Sequence, residues 1–222
     1  MTTLTQTKTI EFEKLIPDFK RFAASKNEAR IVLKYAHYDG KYITVTDSNR
    51  LIRINADYVT SLPYDEPFLY NVYTGESIKG SKDGTKNYPK ETNRLIPDHK
   101  NTSVELHDKT LKEFKKSLDE LLKLDSVKKI DNKVINFEIY SGLMTVKDIK
   151  DIQVNKLECF TTGKDIKFNI NCKYMKDALM TINKLNKLSY DDPSMNIVNS
   201  MRPINICKEN VVDIVVLPLR FF

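Results

Sequence analysis

The feature of this sequence that most constrains its fold is a short alternating strand followed by an amphipathic helix, a unit that recurs three times. Alternation with a period of two residues predicts a strand, and apolar spacing of three and four residues predicts a helix. Recurrence of one such unit indicates a duplicated architecture. The predicted strand–helix pairs are 10–12 with 15–24, 104–106 with 111–124, and 168–170 with 174–188. We expect Pro17 in the first turn of the first helix, where its missing N–H costs nothing.

Each predicted helix is followed by strands and turns, so the sequence predicts an α+β fold. An Asp-Gly pair at 39–40 favours a hairpin between strands 33–38 and 42–45. Further strands are predicted at 51–54, 133–140, 143–146, 197–198, 204–207 and 212–217. No helix is predicted in 61–90, which is rich in Pro, Gly, Lys, Asp and Tyr. Both periodicities break near 97–103, which predicts two domains, 1–101 and 102–222.

The composition, 41% hydrophobic and 30% charged, is typical of a globular protein. No apolar stretch approaches the roughly 20 residues of a membrane helix. The polar N-terminus also lacks the apolar region of a secretory signal, so we expect a cytoplasmic protein. Cys159, Cys172 and Cys207 are too few for a disulfide framework or a zinc site, and we interpret them as small buried hydrophobes. The sequence contains no Gly-rich phosphate loop and no paired histidines. We therefore expect a binding protein and not an enzyme, with no cofactor and no metal.

The net charge of +6 suggests an anionic partner, and the predicted helices concentrate lysines opposite their apolar faces. Such a face could hold a phosphate backbone without base readout. The alternative is that these are ordinary solvated helix faces. The candidate DNA-binding residues are Lys20, Arg21 and Lys26 in the first helix, Lys112, Lys116 and Lys123 in the second, and Lys173, Lys176, Lys184 and Lys187 in the third.

Three separated runs carry a resemblance to a known family, the β subunit of bacterial DNA polymerase III, which is the replicative sliding clamp. Run 46–51 (TDSNRL) resembles the family's TDGHRL, and run 88–97 (YPKETNRLIP) is similar to the run that closes its middle domain. Run 215–221 (VVLPLRF) resembles the family's terminal VVMPMRL, while 168–179 and 202–204 resemble parts of its last domain. The runs occur in the family's order. The resemblance covers nearly the whole chain as the middle and last clamp domains, without the first, a size that would suit a phage gene.

The resemblance implies two clamp domains with antiparallel sheets outside and helices inside. It also implies a ring of six domains, hence a homotrimer, that encircles double-stranded DNA and works with a clamp loader. In the family, DNA polymerase and other partners insert a short apolar motif into a cleft between the middle and last domains. The pocket residues carried over by position are Leu33, Thr46, Ser48, Asn49, Arg50, Leu51, Pro89, Arg94, Leu95, Met201, Pro203, Val215, Val216, Leu217, Pro218, Leu219 and Arg220.

The sequence departs from the family in three places. Ser48 and Asn49 replace Gly-His at the pocket rim, Thr92 and Asn93 imply a small insertion before Arg94, and 61–90 lacks a second domain-lining helix. These departures keep open an alternative function, a clamp-like interaction module that does not form a ring and that sequesters or recruits clamp-binding proteins.

Overall fold

The computed structural model describes residues 8–80, 88–89, 92–129, 133–150 and 154–219. Within these ranges, the first half contributes one α-helix and seven strands, and the second half three α-helices and nine strands. The first-half elements are β1 (Ile10–Glu11), α1 (Phe12–Phe22), β2 (Tyr35–Tyr38), β3 (Tyr42–Thr46), β4 (Arg50–Asn55), β5 (Val59–Thr60), β6 (Phe68–Asn71) and β7 (Ser77–Lys79). The second-half elements are β8 (Thr102–Glu105), α2 (Asp108–Leu121), α3 (Asp125–Lys128), β9 (Val134–Tyr140), β10 (Leu143–Asp148), β11 (Val154–Glu158), β12 (Thr161–Gly163), β13 (Ile166–Asn171), α4 (Cys172–Leu185), β14 (Ser194–Ile197), β15 (Ile204–Lys208) and β16 (Val212–Val216).

One antiparallel ten-stranded sheet runs through both halves, in the order β12-β8-β14-β15-β16-β4-β3-β2-β6-β7. The halves meet where β4 pairs with β16, with Ile54 opposite Val212 and Arg50 opposite Val216. A second sheet, β11-β10-β9-β13, belongs to the second half alone, and β1 forms a short parallel pair with β5. Residues of both halves join one apolar core. The domain division at residue 101 remains a prediction.

Helices α1 and α4 pack on one side of the long sheet, and α2 packs against α4 and the second sheet, each through a mainly apolar stripe. Leu15 and Phe19 of α1, Phe114 of α2 and Ile182 of α4 are all 0% exposed. Along β4, Ile52 and Ile54 point into this core, so the intervening residues face the opposite side. We call the side away from α1 and α4 the outer face.

The predicted fold class, α+β with antiparallel sheets, matches the structure, and the three predicted strand–helix units are present. The position of Pro17 is a correction: α1 begins at Phe12, so Pro17 is its sixth residue and lies beyond the first turn. The helix starts early because Phe12 is itself a buried residue of the apolar stripe. Residues 33 and 34 are a second correction, since they belong to a 3-10 helix, Ile31–Lys34, and not to a strand.

The structure has no helix among the described residues of 61–80, as the composition predicts. It has β6 and β7 there, two strands that the sequence did not predict. Burial raises the pKa of the Cys172 thiol to about 12, which agrees with the interpretation of this cysteine as a buried hydrophobe. Cys159 and Cys207 are only partly buried.

Candidate binding sites

The first group of predicted pocket residues lies on the outer face at the seam between the halves. Thr46 is opposite Leu51 in the sheet, and Leu51 is opposite Val215. Cross-strand partners project to the same side, so these three side chains form one row. Leu51 and Val215 are each 1% exposed and Thr46 is 4% exposed. They therefore form a covered floor, not an open surface.

The turn between β3 and β4 is shaped by Asp47, whose carboxylate accepts hydrogen bonds from the backbone N–H groups of Asn49 (2.9 Å) and Arg50 (3.0 Å). Short acidic side chains commonly order turns in this way. Ser48 has a φ of 77°, in the left-handed region that favours glycine. This backbone geometry gives a physical reason for the glycine that the resembling family has at the same position.

Arg50 lies on the helix side of the sheet, opposite to the face of Leu51, because neighbouring residues of a strand project to opposite sides. Its guanidinium donates to Asp47 (2.9 Å) and to Asp177 of α4 (2.6 Å), and lies 4.2 Å from the ring centre of Tyr174. Val216, its cross-strand partner, is 0% exposed. Two of the predicted pocket residues, Arg50 and Val216, are thus directed towards the helices.

A second group, Arg94, Leu95 and Pro203, lines one outward cavity of about 500 Å³. Ile96, Pro97 and Val198 add apolar surface to its wall. Leu95 is 39% exposed, and Met201, near Pro203 in the chain, is 51% exposed. This cavity belongs to the predicted pocket, and its lining is about half apolar and half polar.

The remaining predicted pocket residues have separate environments. The backbone N–H of Leu217 donates to the Asn49 carbonyl (3.0 Å) and that of Leu219 to the Asn169 carbonyl (2.8 Å), which fixes the segment after β16. Leu217, Pro218 and Leu219 are half-buried, Leu33 is 3% exposed, and Pro89 is exposed. Arg220 lies outside the described residues.

Sequence reasoning missed the side chains that surround Asn49 and Arg50 on the helix side. A cavity of about 540 Å³ there is lined by Arg30, Tyr73 and Tyr174, in addition to the predicted cations Lys20, Arg21 and Lys173. Arg30 donates to the Ser48 hydroxyl (3.0 Å), and its hydrogen bond to Glu28 lowers the pKa of that carboxyl. Burial raises the pKa of the Tyr73 and Tyr174 phenols. An aromatic residue in the first turn of the third predicted helix was the available signal for Tyr174.

The predicted DNA-binding residues divide into two sets, and those of the first set form ion pairs with carboxylates of the chain. Asp18 of α1, 1% exposed, accepts from Arg21, from Thr181 (3.1 Å) and from Lys184 of α4 (2.5 Å). Lys176 pairs with Asp119 of α2 (2.5 Å). Burial opposes ionisation of Asp119, but hydrogen bonds from Lys176 and Lys115 hold its pKa below the usual value. Lys184 and Lys176 therefore bridge α4 to α1 on one flank and to α2 on the other.

Two more of the ten predicted DNA-binding residues are paired within their own helices, Lys173 with Asp177 (2.7 Å) and Lys116 with Glu120 (4.0 Å). Lys26 lies 5.7 Å above the Tyr73 ring. The second set consists of exposed lysines that form no ion pair with any residue of the described ranges: Lys20, Lys26, Lys112, Lys123 and Lys187. These five carry charge that is available to an anionic ligand.

The part of the chain that the structure describes contains no cluster of three or more His, Cys, Asp or Glu placed to hold a metal ion. It likewise contains no helix long and apolar enough to cross a membrane.

This structure, with a long antiparallel sheet across two joined halves and helices packed on it, is similar in fold to solved bacterial DNA sliding clamps. The DNA polymerase sliding clamp of Bacillus subtilis superimposes with a TM-score of 0.68 at 21% identity, covering 94% of this chain and 63% of that one. The DNA polymerase III β subunit of Thermotoga maritima gives 0.67 at 20% identity, with 95% and 64% covered. The β chain of Streptococcus pneumoniae gives 0.66 at 18%, with 94% and 63% covered.

These comparisons confirm the clamp fold suggested by the three sequence runs. The chain spans less than two thirds of the length of the clamps it matches. Neither a scan against protein-family models nor a search of curated proteins finds a match to this sequence.

Proposed function

We propose that this protein is a DNA sliding clamp, a processivity factor that encircles duplex DNA and tethers partner proteins through a peptide pocket. The observation that carries the proposal is the similarity of 94% of the chain to solved bacterial clamps. A clamp makes and breaks no covalent bond, so no enzymatic step is part of the proposal. The partners are DNA polymerase, other proteins with a clamp-binding motif, and a clamp loader.

The outer face at the seam supports a peptide pocket. The covered row of Thr46, Leu51 and Val215 supplies a rigid floor, and the cavity of Leu95 and Pro203 supplies open apolar surface. Leucine and phenylalanine side chains of a partner motif would bury there, at roughly 25 cal/mol for each Å² removed from water. Arg94, at the same cavity, would orient polar groups of the peptide.

The helix side supports loose contact with DNA. Lys20 of α1, Lys112 of α2, and Lys123 and Lys187 just after α2 and α4 are exposed and form no ion pair with the described residues. Unpaired lysines attract phosphates without reading base sequence, which is the contact that sliding requires. The paired residues Lys176 and Lys184 would instead hold the helices in place.

The sheet edges support closure into a ring. The ten-stranded sheet ends in β12 on one side and β7 on the other, and both edges are unpaired among the described strands. Phe160, next to β12, is 60% exposed, and Ile78 of β7 is 38% exposed. Open edges with exposed apolar side chains are sites of strand pairing between chains. Three copies joined head to tail would give the six-domain ring of a cytoplasmic clamp.

Binding of a fluorescently labelled peptide that ends in Leu-Phe tests the pocket. We expect Leu95→Asp to weaken binding at least tenfold, because the aspartate places a charge on the apolar wall that the motif would cover. Ile149→Asp is the matched control, since Ile149 is also 39% exposed but lies directly after β10, away from the cavity lining. Equal affinity of the wild-type and Leu95→Asp proteins would refute the pocket.

One observation favours the alternative, a clamp-like interaction module that does not form a ring and sequesters or recruits clamp-binding proteins. In the described part of the first half, α1 is the only α-helix, so a channel wall built from this half would be narrow. The measurement that separates the two functions is the native mass across a concentration series, by sedimentation. A stable trimer retained on circular but not on linear DNA supports the clamp, and a monomer that still binds the peptide supports the module.

A further inference from the structure

The chain segment that joins the two halves runs along one row of side chains on the outer face of the long sheet. The row consists of cross-strand partners on five neighbouring strands: His37, Thr44, Arg53, Asp213 and Cys207. At one end of the row the Tyr88 ring lies 4.7 Å from the His37 ring, centre to centre. In the middle the Asn93 amide oxygen accepts a hydrogen bond from Arg53 (2.9 Å), and at the far end the segment shares a cavity with Cys207. The segment therefore crosses the seam between β4 and β16.

This segment borders the predicted peptide pocket. The covered floor of the pocket lies in the next row on the same face, where Leu51 is two residues from Arg53 and so about 7 Å away. Beside Arg53 the segment forms a 3-10 helix, Thr92–Leu95, and two of its residues, Arg94 and Leu95, line the cavity of the pocket. The helix is thus a wall that stands next to the floor.

Arg53 ties this wall to the sheet. Its guanidinium donates through Nε and Nη2 to the Asp213 carboxylate (3.2 and 2.6 Å) and through Nη1 to the Asn93 amide oxygen (2.9 Å). The Tyr42 ring centre lies 4.4 Å from the guanidinium carbon, which fixes the plane of the group. A lysine, with one nitrogen, does not reproduce this planar fork. Arg53 itself is not among the residues that line the cavity, so its effect on the pocket passes through Asn93.

The wall depends on such a contact because it is short and exposed. A 3-10 helix of four residues has too few internal hydrogen bonds to be stable by itself. Only its first residue, Thr92, is buried, and Asn93, Arg94 and Leu95 are exposed. The position of the helix relative to the floor is therefore set by the groups that hold it to the sheet.

We propose that Arg53 is a positioning residue of the peptide pocket, which holds the wall of Arg94 and Leu95 in place through Asn93 before a peptide binds. The proposal rests on the proposed function, because it concerns the same pocket. A wall that is already fixed loses less conformational freedom when the peptide docks, so the peptide binds more tightly. The bond also gives a role to Asn93, which belongs to the small insertion before Arg94 in the sequence.

The test measures binding of the labelled Leu-Phe peptide to a double-mutant cycle. We expect Arg53→Met and Asn93→Ala each to weaken binding about fivefold, the scale of one lost hydrogen bond. The double variant should also lose about fivefold, and not the product of the two losses, because both changes break the same bond. Asn93→Asp keeps an oxygen acceptor for Arg53 and should bind within about twofold of wild type.

Amide hydrogen exchange of residues 92–96 supplies a second readout that needs no peptide. The exchange should become faster in Arg53→Met and in Asn93→Ala and stay unchanged in Asn93→Asp.

The control is Asn55→Ala, which removes another side-chain hydrogen bond across the same seam, from Asn55 Nδ2 to the Asn210 carbonyl (3.0 Å), away from the cavity lining. It should leave peptide binding and the exchange of 92–96 as in wild type. An equal loss of affinity in Asn55→Ala and Arg53→Met reflects a weakened seam only and overturns the proposal. Wild-type affinity of Arg53→Met, or additive losses in the double variant, overturns the positioning role but leaves the pocket intact. If the wild-type protein does not bind the peptide at all, the pocket itself fails, and the positioning role fails with it.

Discussion

Replacement of Arg50 by methionine should destabilise the protein far more than the same change at Arg53, three residues further along β4. The Arg50 side chain is 7% exposed and joins two carboxylates, Asp47 of its own turn and Asp177 of α4 in the other half, whose side chains are 11% and 8% exposed. Arg53 faces outward and pairs with Asp213, with side chains 16% and 23% exposed. The two arginines therefore compare a buried ion pair with a more accessible one on the same strand.

The magnitude follows from what the substitution leaves behind. Removal of one partner from a buried ion pair costs about 3–5 kcal/mol, because the other charge stays buried without compensation. Here the cost belongs at the lower end, about 3 kcal/mol, since Asp177 keeps Lys173 at 2.7 Å and Asp47 keeps its backbone hydrogen bonds. For Arg53→Met we expect about 1 kcal/mol, as for accessible pairs.

Urea unfolding followed by circular dichroism measures both changes, provided that the slope of the transition stays constant. The double variant Arg50→Met/Asp177→Leu completes the cycle. It should recover about 2 kcal/mol relative to the sum of the single variants, because apolar side chains can replace a buried pair at little cost. Equal losses for Arg50→Met and Arg53→Met, or additive single effects in the double variant, would refute the assignment of Arg50 as a buried link between the halves.

Two further predictions concern pH and backbone geometry. Burial lowers the pKa of His37 below 6.5, so its contribution to stability is present above pH 6.5 and is lost as pH falls towards the folded-state pKa. A hydrogen bond to Asp192 raises the pKa of His107, so the contribution of His107 is present below pH 6.5 and is lost as pH rises through its folded-state pKa. Urea midpoints from pH 7.5 to 5 should fall less steeply for His37→Gln and more steeply for His107→Gln than for wild type, and identical profiles would contradict this. Gly163 has a φ of 103° and an added Cβ would lie 1.9 Å from the Asn101 carbonyl oxygen, so Gly163→Ala should cost more than about 2 kcal/mol. For Gly75→Ala, where φ is 78° but the nearest atom is 3.6 Å away, about 1 kcal/mol is expected, and equal thermal shifts would contradict the steric reason.

The elements of the fold were largely predictable because they depend on local patterns. Buried stripes such as Leu111, Phe114 and Leu118 have the spacing of a helix, and this signal does not depend on distant residues. The start of α1 was missed because Phe12 continues the alternation of β1 and also begins the helical stripe. The ten-stranded sheet could not be derived from periodicity, since the pairing of β4 with β16 depends on residues far apart in the chain.

The candidate pocket was predictable only as a set of segments. Run 46–51 places Leu51 and Arg50 side by side in sequence, yet the strand sends them to opposite faces, and the prediction treated both as pocket residues. The prediction of DNA-binding lysines had the same limit, because a sequence pattern does not reveal contacts with other helices. A helical wheel puts Lys176 and Lys184 on a polar face, but the acids that engage them, Asp119 and Asp18, belong to neighbouring helices. Whether a charged side chain is free or paired is decided by tertiary contacts.

The seam between β4 and β16 has a consequence for the order in which the chain folds. Arg53 and Asp213, which meet across it, are 160 residues apart in the chain. During synthesis β4 therefore leaves the ribosome long before its partner strand exists, and its edge is unpaired beside an apolar surface that includes Ile52 and Ile54. Such an edge is prone to pair with other chains. We therefore expect the first half to be prone to aggregate until β16 docks, and this long-range pairing to be a slow step of folding.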